Sequence, residues 1–375
     1  MEQKTPALIA ITGWPCGGKS SGMASLVVHN AQLGIETILV PEAATLLMQQ
    51  GIKPGKTISF DNFQDYVLVY QNFLEAQALQ RASQRQIETG KQVVVLTDRG
   101  NMDGEAYVSS RETYDAILAK HGLNRAHITK IKYSGVIHLV TAPEEHYTCE
   151  NNLEREETRE EAKVLDQKTQ EARAWSHLKI IPNRTNFKDK MDECTRALQS
   201  ILGVPVTYEH EDKFAVTWID MAALVACNPI ISHITQDYIQ SPRPDEIWRV
   251  RKLEQWGTTI YYRTMKKQNN QQETIEHESL ITEAEYTHLL TEWRLPDTTT
   301  IEKERYCFAW NDQHFEFDIF TNPTLLQPWD VWLLEIEKVG KNDPVFLPSF
   351  MKCHETTNNP HYKNAVMAWA LKHHS

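Results

Sequence analysis

Nowhere does the chain string together the roughly 20 apolar residues that cross a bilayer, so no membrane-spanning helix is expected. Basic charge is short as well: 39 Lys and Arg stand against 50 Asp and Glu, a net charge of −11. Nucleic-acid binding by counterion release needs a basic face, so nucleic acid is not an expected partner. Cysteines are few and scattered, at Cys16, Cys149, Cys194, Cys227, Cys307 and Cys353, with no C-x-x-C pair. That spacing argues against a zinc site or a disulfide frame and fits reduced thiols. Residues 1–6 are short and polar, so no signal peptide is expected and the location is read as cytoplasmic.

What is present begins with Ile9-Ala-Ile-Thr-Gly-Trp-Pro-Cys-Gly-Gly-Lys-Ser-Ser21, an apolar strand emptying into a glycine-rich turn and a helix start. Gly13, Gly17, Gly18, Lys19, Ser20 and Ser21 stand at phosphate-loop spacing. Glycines let backbone N–H groups converge on phosphate oxygens, the lysine reaches the outer phosphates, and the serine hydroxyl ligates Mg²⁺. Glu36–Val40 then reads as a second strand whose carboxyl end carries Glu42, on the edge where open parallel sheets bind ligands. Phe63 to Glu88 has helical spacing that includes Tyr66, Val69, Tyr70, Phe73 and Leu74, and most of those aromatics are expected in the core. Lys91 to Asp98 is an apolar strand ending in an acid that could hold Mg²⁺ or take a proton from an acceptor hydroxyl.

Tyr133 to Val140 is another strand, and the segment from Asn151 to Trp175 is highly charged. Two readings stand for that segment: a solvated helix, or a lid in which Arg155 and Arg159, one helical turn apart, close on phosphate. Leu178 to Asn183 makes a last strand and Phe187 to Leu202 a closing helix. With Pro41 to Thr45, Asp98-Arg99-Gly100, Asp103, Tyr107, Asn152, Arg155, Trp175 to His177, Ile181 to Asn183, Phe187 and Lys190, residues 5–203 resemble the P-loop ATPase domain related to nicotinamide riboside and deoxynucleoside kinases. The resemblance implies Lys19 and Ser20 on phosphates and Mg²⁺, Asp98 near the acceptor, Arg155 or Arg159 in a lid, and Asn183 at the nucleotide. No guanine-reading Asn-Lys-x-Asp motif is present, so ATP and GTP both remain candidates.

After Val206 charges recur two apart: Glu209, Glu211 and Lys213; Arg249 and Arg251; Glu276 and Glu278; Lys303 and Arg305; Glu316 and Asp318; Glu335 and Glu337. On a strand that spacing sends each set to one face. A single such strand would turn its charges to water, but six with both signs suit a closed barrel with a polar lumen that grips a polyphosphate and its metal. Lys266 or Lys267 adds a cation. These residues resemble the CYTH superfamily, the triphosphate tunnel metalloenzymes, over about 206–370, with Glu209-His-Glu-Asp-Lys213 matching the opening signature. The resemblance implies Glu209, Glu211, Glu335 and Glu337 on Mg²⁺ or Mn²⁺, and Lys213, Arg249, Arg251, Lys266, Lys303 and Arg305 on a triphosphate. Thr274 departs from the family's arginine.

The expectation is therefore an α/β P-loop domain with a parallel sheet over residues 1–203, then an α+β domain with an antiparallel closed β-barrel over 204–375. Together the halves resemble the family of the TRPL translocation defect protein. The expected function joins a kinase-like or ATPase-like site, with Lys19, Glu42, Asp98, Arg155 and Arg159 catalytic, to a metal-dependent triphosphatase using Glu209 and Glu211. The alternative is a nucleotide-gated regulator that binds a phosphoinositide surface or another phosphorylated ligand without turnover.

Overall fold

The computed structural model describes residues 5–13, 19–141, 159–174, 177–184, 186–204, 210–255, 257–268, 274–322 and 332–374. The chain divides into two compact units, Met1–Leu202 and Gly203–Ser375.

In the first unit the near-continuous apolar runs form buried parallel strands, as such runs do when both faces of a sheet are covered. These are β1 (Ala7–Thr12), β2 (Glu36–Val40), β3 (Val93–Asp98), β4 (Gly135–Leu139) and β5 (Leu178–Ile181), in the order β2-β3-β1-β4-β5. The helices are α1 (Lys19–Gln32), α2 (Ala43–Gln49), α3 (Phe60–Thr89), α4 (Arg111–Lys120), α5 (Arg125–His127), α6 (Arg159–Ala172) and α7 (Phe187–Leu202). Strands leave β1 on both sides, so its carboxyl end and that of β3 flank the crevice where such sheets take ligands.

Helix α3 runs longer than its apolar pattern because Ser59 caps its start, accepting from the Asn62 amide at 3.3 Å, and the helix ends at Gly90. Two of its three aromatics expected in the core, Tyr66 and Phe73, face outward instead. Tyr66, Val69 and Phe73 are 49%, 46% and 57% exposed, while Gln64, Asp65, Gln71 and Glu75 are buried. The inward face serves a polar network: Gln71 donates to Thr97 at 2.6 Å and to Glu75 at 2.9 Å, and Tyr133 donates to Glu75 at 2.9 Å. The inner face is mixed: Phe63, Leu68, Ala78 and Ala82 are buried beside the hydrogen-bonded polar groups.

The second unit is built on a nine-stranded antiparallel sheet of β6 (His210–Ile219), β7 (Ile230–Ile239), β8 (Glu246–Gln255), β9 (Thr258–Gln268), β10 (Thr274–Ile281), β11 (Ile301–Trp310), β12 (Gln313–Asn322), β13 (Trp332–Lys338) and β14 (Met351–Glu355). The order is β10-β9-β8-β7-β11-β12-β13-β6-β14, with β10 and β14 at the edges. Helices α8 (Met221–Ala226), α9 (Glu283–Trp293) and α10 (Asn364–His374) complete it. Register partners share a face. Phe214, Val216, Phe308, Phe315, Phe317, Leu334 and Ile336 gather on one face with Leu224 of α8, Phe350 and Met351.

The opposite face carries the charges. Glu337 lies across from Glu211, Lys213 across from Glu335, Glu335 from Glu316, and Asp318 from Arg305. The register continues through Arg305 and Ser232, Gln236 and Arg251, Arg249 and Thr264, and Lys266 and Glu276. Every described member of the six alternating sets therefore falls on a single face. One end of that face is covered by Tyr362, Met367 and Ala368, which pack on Ala215, Tyr238, Phe320 and Leu333.

Lys303 and Asp318 are 1% and 0% exposed, and Lys303 and Arg305 both donate to Asp318. Removing one member of such a buried set strands the others. Asp318→Ala is expected to cost about 3 to 5 kcal/mol in urea unfolding, whereas Glu254→Ala, which breaks the more exposed pair with Lys252 at 2.9 Å, is expected to cost less than about 1 kcal/mol.

Candidate functional site

The first unit gathers its polar groups at the carboxyl ends of β1, β2 and β3. Gly13 directly follows β1 with φ of +123°, and a Cβ there would lie 2.1 Å from the Leu139 carbonyl oxygen, so only glycine fits. Lys19 opens α1, is buried, and donates to the Gly13 carbonyl at 2.9 Å. Gly17 and Gly18 lie outside the described residues, as does the Ser20 side chain, while Ser21 follows on the first turn of α1 and is exposed.

Arg99, directly after β3, sits in the left-handed region with φ of 67°, a conformation a non-glycine residue keeps only when its surroundings hold it. Its amide donates to the Ile11 carbonyl at 2.9 Å and its Nε to Glu42 Oε1 at 2.5 Å. Thr45 donates to the other Glu42 oxygen at 2.5 Å. Burial works to raise the Glu42 carboxyl, but the charges of Arg99 and Lys19 and these hydrogen bonds outweigh it and hold the pKa at about 2.

Asp98 behaves oppositely. One carboxylate oxygen, Oδ1, is buried with no hydrogen-bond partner among the described residues. Burial raises its pKa; Lys19 opposes the rise, and the neighbouring Glu42 charge adds to it. Asp103 is fully engaged, accepting from Thr12 at 2.7 Å, Arg173 Nε at 2.7 Å and the Gly100 amide at 2.8 Å. Burial would raise its pKa, but Arg173 and Arg99 bring it below the ordinary value.

Against these strand ends opens a cavity of about 790 Å³. Glu42, Arg99, Asn101 and Asp103 line it, with Phe60, Phe63, Leu68, Gln71, Tyr107 and Tyr114, and α6 contributes Glu161, Leu165 and Lys168. Arg155 lies outside the described residues, as does the side chain of Arg159 at the start of α6. The rest of the charged helix is not merely solvated: Asp166 faces buried His138 at 3.1 Å, and the fully buried Arg173 just beyond its end pairs with Asp103. Asn183 donates to the Thr141 carbonyl at 2.6 Å and accepts from Lys190 at 2.9 Å, tying the end of β5 to that of β4. Arg173 was not legible as a site residue, since nothing local separates it from the other charges of its helix.

On the charged face of the second unit Glu209 lies outside the described residues. Lys213 bridges Glu211 at 2.9 Å and Glu335. Burial opposes its charge, but these two carboxylates raise its pKa. Both Glu335 oxygens are taken, one by Lys213 and the other by Arg305 at 2.8 Å. Arg305 also holds Asp318 and Glu316. Lys303 is sealed against Asp318, so it braces the face from within and does not meet a ligand. A second group joins Arg249 at 3.1 Å, Lys266 at 2.7 Å and Arg251 at 3.7 Å to Glu276, with Arg251 also on Glu278. Burial would raise the Glu276 carboxyl, yet Lys266 and the two arginines depress it.

Among the described residues no three His, Cys, Asp or Glu side chains converge as a metal-ligand group. Glu211 and Glu337 face each other across β6 and β13, while Glu335 is held by cations.

The five-stranded parallel α/β sheet of the first unit, with Gly13 after β1 and Lys19 opening α1, fits a P-loop domain. Residues 8–190 match the family described as AAA domain. No curated protein matches the chain. Among solved structures, it is similar to the PH1819 protein of Pyrococcus horikoshii OT3, at 18% identity over 36% of this chain and 80% of that one, with a TM-score of 0.28. It is also similar to conserved hypothetical protein Pfu-838710-001 of Pyrococcus furiosus, at 21% identity over 38% and 81%, with a TM-score of 0.25. For the PH1012 protein of P. horikoshii OT3 the values are 20%, 36%, 80% and 0.26. Scores this low establish neither a shared fold nor a shared activity. No helix among the described residues is long and apolar enough to cross a membrane.

Because Glu42 is held near pKa 2 against an ordinary 4.5, its ionised form stabilises the fold fully above pH 4.5 and loses that contribution as pH falls toward 2. Glu42→Gln is expected to cost about 3 kcal/mol at pH 7. The gap between variant and parent, followed by urea unfolding, should close as pH drops from 4.5 to 2; a gap independent of pH would contradict the assignment.

Proposed function

We propose that the first unit is an ATP- or GTP-dependent phosphotransferase acting on a small-molecule hydroxyl. The observation that carries this reading is the cavity beside the strand-end charges: a simple nucleotide hydrolase needs room only for water, whereas about 790 Å³ lined by aromatic and polar side chains suits an organic acceptor. Gly13, Gly17, Gly18, Lys19, Ser20 and Ser21 take the nucleotide phosphates, with Asn183 toward the base. Ser20 and Asp98 are the residues that would hold Mg²⁺. The unpartnered buried oxygen of Asp98 fits that role, and the ion would supply charge neutralisation on the phosphates.

Glu42 is ionised throughout the neutral range, so it accepts a hydrogen bond from the acceptor hydroxyl and orients it. Its low basicity suits a loose transition state in which the proton leaves late. The acceptor oxygen forms a bond to the terminal phosphorus, the bond to the bridging oxygen breaks, nucleoside diphosphate departs, and the acceptor proton passes to Glu42 and then to solvent. Lys19 offsets charge on the transferring group. Arg155 and Arg159 remain proposed for the same task.

For the second unit we propose a polyphosphate site on the charged face, arranged as a tunnel. Six cations and seven carboxylates among the described residues share that face, so it carries no cationic surplus. A polyphosphate therefore enters most favourably together with a divalent cation. Mg²⁺ commonly takes one or two carboxylates plus substrate phosphates, a role that Glu211 and Glu337 fit, with Glu209 as the proposed third. Lys213, Arg249, Arg251, Lys266 and Arg305 would grip the phosphates.

A panel of nucleotides, hydroxyl acceptors and tripolyphosphate, scored for transfer and for hydrolysis with Mg²⁺ or Mn²⁺, tests both. Acceptor-dependent nucleotide consumption is expected to fall at least about 100-fold in Lys19→Ala and Glu42→Gln. Tripolyphosphate hydrolysis is expected to fall in Glu211→Gln and to persist in Lys19→Ala. Nucleotide binding without transfer or hydrolysis would overturn the phosphotransferase and make the chain a nucleotide-dependent binder.

A further inference from the structure

Arg173, just beyond α6, is 1% exposed and the largest of the fully buried side chains among the described residues. Its Nε donates to Asp103 at 2.7 Å, and its guanidinium lies 6.0 Å from the centre of the Tyr133 ring. Nη1 and Nη2 are buried without a hydrogen-bond partner among the described residues. A buried cation with unmet donors lowers stability instead of raising it, so its place here points to function.

What Arg173 holds shows where that function lies. Asp103 Oδ1 accepts from Arg173 Nε and from Thr12 Oγ1, both at 2.7 Å, and Oδ2 accepts from the Gly100 amide at 2.8 Å. The Asp103 amide donates back to the Gly100 carbonyl at 3.0 Å. A Cβ on Gly100 would lie 2.8 Å from Arg173 Nη2, so the guanidinium packs directly on the backbone that follows Arg99. Arg99 is thus held in its left-handed conformation from both sides, its own amide by the Ile11 carbonyl and the next amide by Asp103. A strained residue keeps its conformation only while such contacts last.

Two acids and two arginines meet at this point. The charges of Glu42 and Asp103 both act on Arg99. With Arg173 on Asp103, the Arg99 guanidinium is left to Glu42, which it meets at 2.5 Å. Without Arg173, one guanidinium would serve two buried carboxylates.

We propose that Arg173 is a positioning residue for phosphoryl transfer: by occupying Asp103 it fixes the backbone at Arg99 and leaves the Arg99 guanidinium to Glu42, the group that orients the acceptor hydroxyl. Arg173 is not among the residues that line the cavity, so it acts through Glu42 and not on the ligand. Its effect on transfer rests on the phosphotransferase reading; its coupling to Glu42 does not.

The test is a double-mutant cycle in the full chain between Arg173 and Glu42, which share no hydrogen bond or ion pair among the described residues. Arg173→Met and Arg173→Lys are each made alone and together with Glu42→Gln. Two quantities are read: the urea midpoint of unfolding, and the rate of transfer from MgATP to adenosine, cytidine and pantothenol. With Glu42 present, Arg173→Met is expected to lower transfer about tenfold or more by misplacing the carboxylate, and Arg173→Lys, which keeps a cation beside Asp103, by less. With Glu42→Gln in place, either substitution is expected to change the remaining rate by less than about twofold. Glu42→Gln is likewise expected to lower the urea midpoint less in the Arg173 variants than in the parent. Should Arg173→Met fail to fold, Arg173→Lys carries the cycle.

Equal losses of transfer in both Glu42 backgrounds, no loss in either, or additive losses of the urea midpoint would overturn the inference and leave Arg173 a structural cation. If the parent protein binds MgATP but transfers to none of the acceptors, the phosphotransferase reading fails for them by itself. The unfolding cycle then still decides whether Arg173 supports Glu42: unequal losses uphold the coupling, and additive ones refute it.

Discussion

The ion pair between Arg99 and Glu42 sets the terms for the first unit. Arg99 is buried directly after β3 in a left-handed backbone conformation, and its guanidinium keeps Glu42 ionised at the end of β2. A buried carboxylate needs such a partner. With the pair in place, two strand ends are locked together and a negative charge stands at the mouth of the cavity. Lys19 and Asp98 feel the same field: the charge of Glu42 pushes the Asp98 carboxyl up, and Lys19 pulls both acids down. A phosphate and a divalent cation would enter an arrangement of charges already fixed by the protein, which is how preorganised sites lower a barrier.

The same constraint governs the second unit at larger scale. Alternation alone places its charges on one face, and the register across the strands brings opposite signs together. Asp318 and Glu335 are buried because Lys303, Arg305 and Lys213 surround them. Some of these groups are thereby committed to holding the sheet. Lys303 is the clearest case, inaccessible beneath Asp318, whereas Arg249, Arg251 and Lys266 are only partly covered. Lys213 and Arg305 are covered to the same degree as Arg251 and Arg249, so among the described residues of this face only Lys303 and Asp318 are fully sealed.

Much of this was legible in the sequence, for local reasons. Glu36–Val40 and Phe187–Leu202 come out with the bounds their apolar patterns give, and the glycine-rich turn after β1 forecasts the P-loop class that residues 8–190 match. Period-two charges forecast a charged sheet face, but the closed barrel expected with it is not shown: β10 and β14 stand at the edges of the nine-stranded sheet. What was not legible depends on distant partners. The inward side of α3 buries Gln71 and Glu75 beside Phe63 and Leu68 because Thr97 and Tyr133 stand there to bond them, and no helical pattern encodes that. Arg173 is a site residue only because the fold brings Asp103, 70 positions away, to its Nε. The availability of Lys303 and Glu335 was likewise a matter of packing and not of spacing.

The central claim is that the charges around Lys19 form a nucleotide site distinct from the polyphosphate face. Calorimetric titration of the full chain and of Lys19→Met, with MgATP and separately with tripolyphosphate and Mg²⁺, tests it most directly. The account predicts that Lys19→Met loses one equivalent of MgATP binding and keeps its tripolyphosphate binding unchanged. Identical MgATP isotherms for parent and variant would contradict it.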